Sequence, residues 1–506
     1  VISLIKNYRR YILAALMLWQ CVAPSCPMAN AADSHTDFVV KPYLQLGNHS
    51  GLSKEENEEL FWVSASNRDK WLLEVKSHDE SNWRPQKPPS SLVLSYSVPE
   101  RLYIFDNPIE NLEPGRKFSY RLSKNGQKVF EGKTVARKGF NQPYKFVLFG
   151  DTGANTSSER KVVYQAYKHD PDFLVVLGDI VYDFGCLSEY LIKFFPSFSN
   201  DKAAEELGAP ILQSILTFGV IGNHDIAYGA NRSGVDFNKH TDALAFYQLW
   251  SEPLNGPLKQ RTGPNIPKLI GTDERVQKFL ESTGDRFPQM SNYSFDYGNS
   301  HWLVLDANPY MDWTNEKLRT WVAGDLKSAK TQVWKFVCFH QPGFSVDKAH
   351  YNEQRMRLLS DIFQNCGVDL VFSGHAHNYQ RSYPLIFHGQ NKNGIPVMNN
   401  DGTVDGGLTL DKKFDGVKNV KPSGVIYIVS GGGGASLYAS LADSPSRKKL
   451  STSPDILKKA FTDKFDASTH SLTVCQVDNH KLSVKQISED GKEIDSFVIE
   501  KNSVSR

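Results

Sequence analysis

Phe146-Val147-Leu148-Phe149-Gly150-Asp151-Thr152-Gly153 sets a run that is apolar on both faces directly against a polar turn. Such a run belongs to a strand buried on both sides, and open α/β sheets collect their ligands at the carboxyl ends of such strands. The arrangement recurs along the chain. Phe173 to Leu177 precedes Gly178-Asp179-Ile180-Val181-Tyr182, and Phe218 to Ile221 precedes Gly222-Asn223-His224-Asp225. The run Phe336 to Phe339 carries Val337-Cys338-Phe339-His340, and Leu370 to Phe372 precedes Gly374-His375-Ala376-His377. Trp302 to Leu305 and Val425 to Val429 are further buried runs. Helices are expected between them at Ser157 to Tyr167, Asn315 to Lys330 and Asn352 to Phe363. Strands alternating with helices argue for a layered α/β domain.

The residue types at these strand ends suit a metal pair. Carboxylate, phenolate, amide oxygen and imidazole are donors for Fe, Zn or Mn. One carboxylate can bridge two cations about 3.5 Å apart, the spacing for in-line displacement at phosphorus. Taken singly, each string reads as a common turn, cap or core histidine; five in succession, each behind a buried strand, read as one site. Asp225 is expected to organise the Asn223-His224 turn. Asp306 and Asn308 sit at another strand end and are expected to line the pocket without matching a metal motif. The run Gly431 to Gly434 lacks the Lys and Ser or Thr of a P-loop and reads as a close-packed turn.

Outward from this region the pattern changes. Residues 36–140 alternate in short segments, such as Leu60 to Val63, Trp71 to Val75 and Arg101 to Phe105, separated by Pro, Asn and Ser turns. Leu112-Glu113-Pro114-Gly115 before Phe118 to Leu122, and Asn125-Gly126 before Lys128 to Phe130, resemble the turns and strands of fibronectin type III sandwiches. Residues 251–288 and 387–422, rich in Gly, Pro, Asn and Lys, read as surface insertions. Residues 1–31 carry Lys6, Arg9 and Arg10, the apolar run Ile12 to Trp19 and the small residues Ala29-Asn30-Ala31, the three parts of a signal peptide. The mature chain is therefore expected to be secreted, periplasmic or extracellular, with no membrane span after signal removal.

The 506 residues are 40% apolar and 23% charged, which excludes disordered, collagen-like and coiled-coil proteins. Removing three basic residues with the signal leaves 55 basic against 56 acidic, a net of −1. Such a surface offers no global attraction for nucleic acid, and affinity for anions has to come from a local site. Cys186, Cys338, Cys366 and Cys475 are far apart and lack a CxxC pair, so the sequence leaves their pairing open.

The five strings resemble the ordered GDxG, GDxxY, GNH(D/E), VxxH and GHxH blocks of purple acid phosphatases, a branch of the calcineurin-like metallophosphoesterases. The resemblance begins at Lys41-Pro42-Tyr43-Leu44-Gln45 and reaches Tyr427 to Ser430 with Gly431 to Gly434, with a looser match at Asp490 to Lys501. Gly153 stands where most metallophosphoesterases have His, and Tyr182 is the phenolate donor that replaces it in the purple enzymes. The resemblance implies a layered α/β/β/α metallophosphatase domain over 141–506, preceded by the all-β sandwich at 36–140. It implies Asp151, Tyr182 and His377 around Fe(III), Asn223, His340 and His375 around a divalent Fe, Zn or Mn, and Asp179 bridging both.

The function implied is a secreted acid phosphatase that cleaves phosphate monoesters by attack of a metal-bound hydroxide. His224 would contact the phosphoryl group or protonate the leaving oxygen, and His350 is the second candidate acid. Where plant members often carry adjacent histidines, Ala349 precedes His350. Tyr379 and Arg381 read as packing residues. The partners expected are small phosphorylated substrates, with oligomeric state open. Phosphodiesters, nucleotide pyrophosphates and phytate are alternative substrates on the same scaffold, and an inactive adhesion or binding protein is the remote alternative.

Overall fold

Side-chain alternation along the buried runs gives each strand two different partners. Phe146 and Leu148 enter one apolar cluster while Val147 and Phe149 enter another. Phe173 and Val175 part from Leu174 and Val176 in the same way, as do Trp302 and Val304 from Leu303 and Leu305. One cluster includes Val162, Val163 and Ala166 of helix Ser157–Lys168, with Leu318, Val322 and Leu326 of helix Glu316–Ser328. The other is aromatic and lies between two sheets, where Phe146 meets Trp302 edge to face at 4.8 Å. Helix, sheet, sheet and helix therefore stack as the expected α/β/β/α sandwich.

The computed structural model describes residues 37–94, 101–227, 234–392, 394–440 and 461–502. The expected signal segment lies outside them. Among the described residues no helix is long and apolar enough to cross a membrane.

The first large sheet runs, edge to edge, Leu216–Gly219, Phe173–Val176, Tyr144–Phe149, Ser471–Asp478, Lys481–Ser488 and Glu493–Glu500. Its first three strands are parallel and the rest antiparallel. The second runs Tyr293–Tyr297, Ser300–Val304, Trp334–Cys338, Leu370–Ser373, Ile426–Ser430, Tyr379–Ser382 and Thr462–Asp466, with four parallel strands at its centre. The carboxyl ends of the parallel strands carry all five polar strings.

The N-terminal region forms two four-stranded antiparallel sheets. One holds Val40–Gln45, Glu56–Ser64, Tyr103–Leu112 and Ser90–Val93; the other holds Arg84–Pro85, Trp71–Ser77, Lys117–Lys124 and Gln127–Val135. Asn125 and Gly126, with φ of 52° and 85°, make the two-residue turn that the Asn-Gly pair demands. Trp62 stacks on Phe105 at 5.1 Å within the N-terminal region, and both belong to an apolar cluster continuous with the residues between the large sheets. Arg137 ties the regions further. It is 1% exposed, donates from Nε to Glu56 Oε2 at 2.6 Å, and reaches the carbonyls of His49, Gly51 and Asp296.

One helix expectation changes. The helix read at Asn352 to Phe363 begins later, as a 3₁₀ turn at Arg355–Leu359 followed by α-helix Ser360–Asn365. Residues 350–354 instead form a loop facing the site, because Asp347 accepts the backbone N–H groups of Ala349 and His350. The insertions are partly ordered: helix Asp273–Thr283 lies in the first and the strand pair Leu385–Gly389 with Gly406–Leu410 spans the second. All four described cysteines are buried free thiols.

Candidate metal centre

Strand ends must turn sharply to aim their side chains at one point. Asp151, Asp179 and His375 do so with φ of 60°, 46° and 66°. Asp and His tolerate this left-handed region better than most residues, at a cost of roughly 1–3 kcal/mol each. The cost is met by bonds between strand ends. Asp151 N–H donates to Gly178 O at 3.0 Å, Thr152 N–H to Asp179 O at 3.2 Å, and His375 N–H to Asp151 Oδ2 at 2.8 Å. The last of these joins the two large sheets. Gly222 is required by close approach, since a Cβ there would lie 2.3 Å from Asp179 Oδ1.

The predicted donors converge in two overlapping groups. Tyr182 Oη lies 3.2 Å from Asp151 Oδ1 and 3.0 Å from His377 Nε2, and His377 Nε2 lies 3.3 Å from Asp151 Oδ1. His340 Nε2 lies 3.2 Å from Asp179 Oδ2 and 3.9 Å from Asp151 Oδ1. Donor atoms of Asp179, His340 and His375 all fall within 4.8 Å of one another. Asn223 lines the same cavity, with its Oδ1 buried and without a hydrogen-bond partner.

The other ring nitrogens fix the imidazoles. His340 Nδ1 is 2.7 Å from Leu177 O, and His377 Nδ1 is 2.7 Å from Ser436 O. A carbonyl can only accept, so both rings carry the proton on Nδ1 and turn Nε2 to the centre. Burial disfavours charge on His340, yet the Asp179 and Asp151 carboxylates outweigh it and push its pKa up to about 10. Burial raises the Tyr182 phenol well above its usual range, and the charges of Asp151 and Asp179 raise it further. A phenolate at this position therefore demands a cation beside it. His340 Nε2 is buried with no well-aligned hydrogen bond, like Asn223 Oδ1. A buried, unpartnered amide oxygen beside imidazole nitrogens and clustered carboxylates fits a metal ion in chemistry.

His224 stands beside this group. Its N–H donates to Asp179 Oδ1 at 2.8 Å, its Nδ1 is 3.0 Å from Asp183 O, and its ring is 4.3 Å from that of Tyr182. His350 lies on the other side, its ring centroid 4.0 Å from His375. Glu353, which sequence reading does not single out, bridges the two histidines at 2.9 Å from His350 Nδ1 and 3.0 Å from His375 Nε2. Its i, i+3 spacing from His350 is the one available signal. Tyr438, also unmarked by any motif, stacks on His377 at 4.1 Å.

Asp225 organises the turn as expected, accepting from Gly222 N–H at 2.8 Å and Ile180 N–H at 3.1 Å. Tyr379 and Arg381 bond Asp495 and pack away from the site. Gly433 N–H donates to Gly150 O at 3.0 Å, so the glycine run is a close-packed turn. Asp306 and Asn308 do not line the pocket. Their neighbours Ala307 and Pro309 do, while the side chains of Asp306 and Asn308 are fully buried and bonded to each other. The cavity measures about 1510 Å³ and also includes Phe184, Asn352, Met398 and Asn399.

Residues 144–379 match the calcineurin-like phosphoesterase family. Purple acid phosphatase 23 of Arabidopsis thaliana is 24% identical over 301 residues, covering 54% of this chain and 56% of that protein. Purple acid phosphatase 22 of the same plant is 34% identical over 274 residues, covering 53% and 51%. The chain thus spans about half the length of these curated relatives. The structure of purple acid phosphatase PPD1 from yellow lupin (Lupinus luteus) seeds superimposes with a TM-score of 0.62 at 16% identity, covering 91% of this chain and 74% of that one. With donors clustered at the carboxyl ends of its parallel strands, this chain carries a calcineurin-like phosphoesterase domain and is a relative of the purple acid phosphatases.

Proposed function

We propose that the protein is an exported acid phosphatase that hydrolyses phosphate monoesters at a two-metal centre. The observation that carries this reading is the convergence of strand-end donors from both sheets, with Asn223 Oδ1 buried and unpartnered and His340 Nε2 held 3.2 Å from Asp179 Oδ2. Asp151, Tyr182 and His377 would hold Fe(III), and Asn223, His340 and His375 a divalent Fe, Zn or Mn, with Asp179 shared. When bound, such a pair supplies Lewis-acid polarisation at phosphorus and a lowered pKa for water.

The chain's own residues do the rest. Asp179 carries a fixed negative charge: burial opposes it, but the His340 and His224 charges hold its pKa below the usual carboxylate range. His224, anchored by its backbone on Asp179 and by Nδ1 at Asp183 O, is placed to contact the phosphoryl group. His350 is raised above its ordinary range, burial opposing and the Glu353 carboxylate prevailing, so it holds a proton for a leaving oxygen. Near-neutral net charge supports small phosphorylated substrates rather than nucleic acid.

The cavity favours a second reading. At about 1510 Å³ it exceeds the about 300–1,000 Å³ of an ordinary small-molecule cleft. Phosphodiesters, nucleotide pyrophosphates and phytate have room there. Comparing kcat/KM across a panel of phosphate esters, with metal content measured on the same preparation, tests both. Preference for any diester over every monoester favours the second reading, and metal-free, inactive protein after iron and zinc reconstitution defeats both.

A further inference from the structure

The donors of the centre come from two sheets, and their spacing is set in two ways. Within a sheet, parallel ladders place neighbouring strand ends: Phe149 is paired with Val176 beside Asp151 and Asp179, and Cys338 with Phe372 beside His340 and His375. Between sheets no ladder exists. Asn223 follows Leu216–Gly219 at the edge of one sheet, and His340 follows Trp334–Cys338 inside the other. Backbone bonds such as Gly150 N–H to Ser430 O at 2.9 Å cross between the sheets, but among the described residues none joins the turn of Asn223 to that of His340.

Asn308 lies between them. It is 0% exposed and belongs to neither donor loop, following strand Ser300–Val304 instead. Its Nδ2 donates to Gly222 O at 3.2 Å, one residue before Asn223. Its Oδ1 accepts from Gln341 Nε2 at 3.1 Å, one residue after His340. The second Nδ2 hydrogen goes to Asp306 Oδ1 at 2.9 Å, which also accepts the Asn308 backbone N–H at 2.9 Å. Asp306 is itself fixed: its N–H bonds Asn292 Oδ1 at 2.9 Å, its carbonyl accepts Trp313 Nε1 at 3.1 Å, and its Oδ2 accepts Tyr310 Oη. Two donor bonds and one acceptor bond from one side chain require a primary amide. Aspartate lacks the donors, and leucine of similar size lacks all three.

We propose that Asn308 is a positioning residue for the Asn223–His340 side of the centre. Its amide spans the gap between the sheets and fixes how far apart the two donors stand. This inference rests on the two-metal reading and concerns the position assigned to the divalent ion. It gives a use to a strand end that matches no metal motif.

The test is titration of Zn²⁺ into the metal-stripped full chain, followed by calorimetry and elemental analysis. Asn223→Ala identifies which binding event belongs to this position. Asn308→Ala is expected to weaken that event by about 10–100-fold, the usual effect of losing a partner behind a ligand, and to leave the other event unchanged. Gln341→Met removes only the Gln341 half of the bridge and should weaken the same event by a smaller factor; it keeps the test open should Asn308→Ala fail to fold. Trp313→Phe removes the bond to Asp306 O without touching the amide and should lower Tm while leaving both events intact. Two unchanged events in Asn308→Ala, or in Gln341→Met if that variant alone folds, overturn the proposal. So does equal weakening of this event by Trp313→Phe. Absence of any Zn²⁺ binding by the unmodified chain would instead defeat the two-metal reading itself.

Discussion

Tyr182 Oη and His377 Nε2 stand 3.0 Å apart across 195 residues of chain. The tyrosine follows a strand of the six-stranded sheet and the histidine a strand of the seven-stranded sheet, with Asp151 Oδ1 within 3.3 Å of both. A phenol buried against a carboxylate resists ionisation, so Tyr182 becomes a phenolate only with a cation beside it. The contact is where the two-metal reading is most exposed to experiment.

Tyr182→Phe keeps the ring that packs 4.3 Å from His224 and removes only the oxygen. Iron-loaded variant protein should lose its visible absorption band while its Tm moves by no more than a few degrees. An unchanged spectrum would refute the assignment of Tyr182 to iron.

His224→Ala and His350→Ala should each lower kcat by about 10²-fold or more, the range for loss of a general acid. Esters with poor leaving groups separate the two roles. The histidine that protonates the leaving oxygen should show the larger loss on an alkyl phosphate and the smaller on an aryl phosphate. Equal losses on both esters for both variants would remove proton donation from either residue.

Arg137→Ala leaves Glu56, 0% exposed, without its guanidinium partner. Stranding one half of a buried ion pair costs about 3–5 kcal/mol. Denaturant unfolding should show a loss of that order. A change below about 1 kcal/mol would mean that the Arg137 tie contributes little.

His301 is held between Asp296 and Asp325, each 2.8 Å away. Burial lowers its pKa, and the two carboxylates overcome that and push it up to about 9. A folded value above the unfolded one, about 6.5, stabilises the fold fully below pH 6.5 and loses that contribution as pH rises through 9. Tm of the unmodified protein should therefore fall between pH 7 and 9 more steeply than Tm of His301→Gln. Parallel curves would show that the pair does not titrate with folding.

Much of the fold is local information. Runs such as Phe146 to Phe149 and Phe336 to Phe339 state burial on both faces, and the Asn125-Gly126 turn states its own geometry. The strand-end strings were legible only together: each alone reads as a turn, cap or core histidine, but five in succession behind buried strands read as one site. Glu353 and Tyr438 were not legible, because nothing in their neighbourhood marks them and their partners lie on distant loops. The helix read at Asn352 to Phe363 misplaces its start because periodicity is blind to the Asp347 bonds that hold residues 349–350 in a loop.

By itself, then, the amino-acid order determined which segments of the two large sheets are strands and which polar residues stand at their ends. Only the tertiary structure decided which atoms meet, that Asp306 and Asn308 turn away from the cavity, and that one amide spans the space between the sheets. The reason is physical: side-chain direction follows from local backbone, but contacts across two packed sheets join residues far apart in the chain and exist only once both sheets are in place.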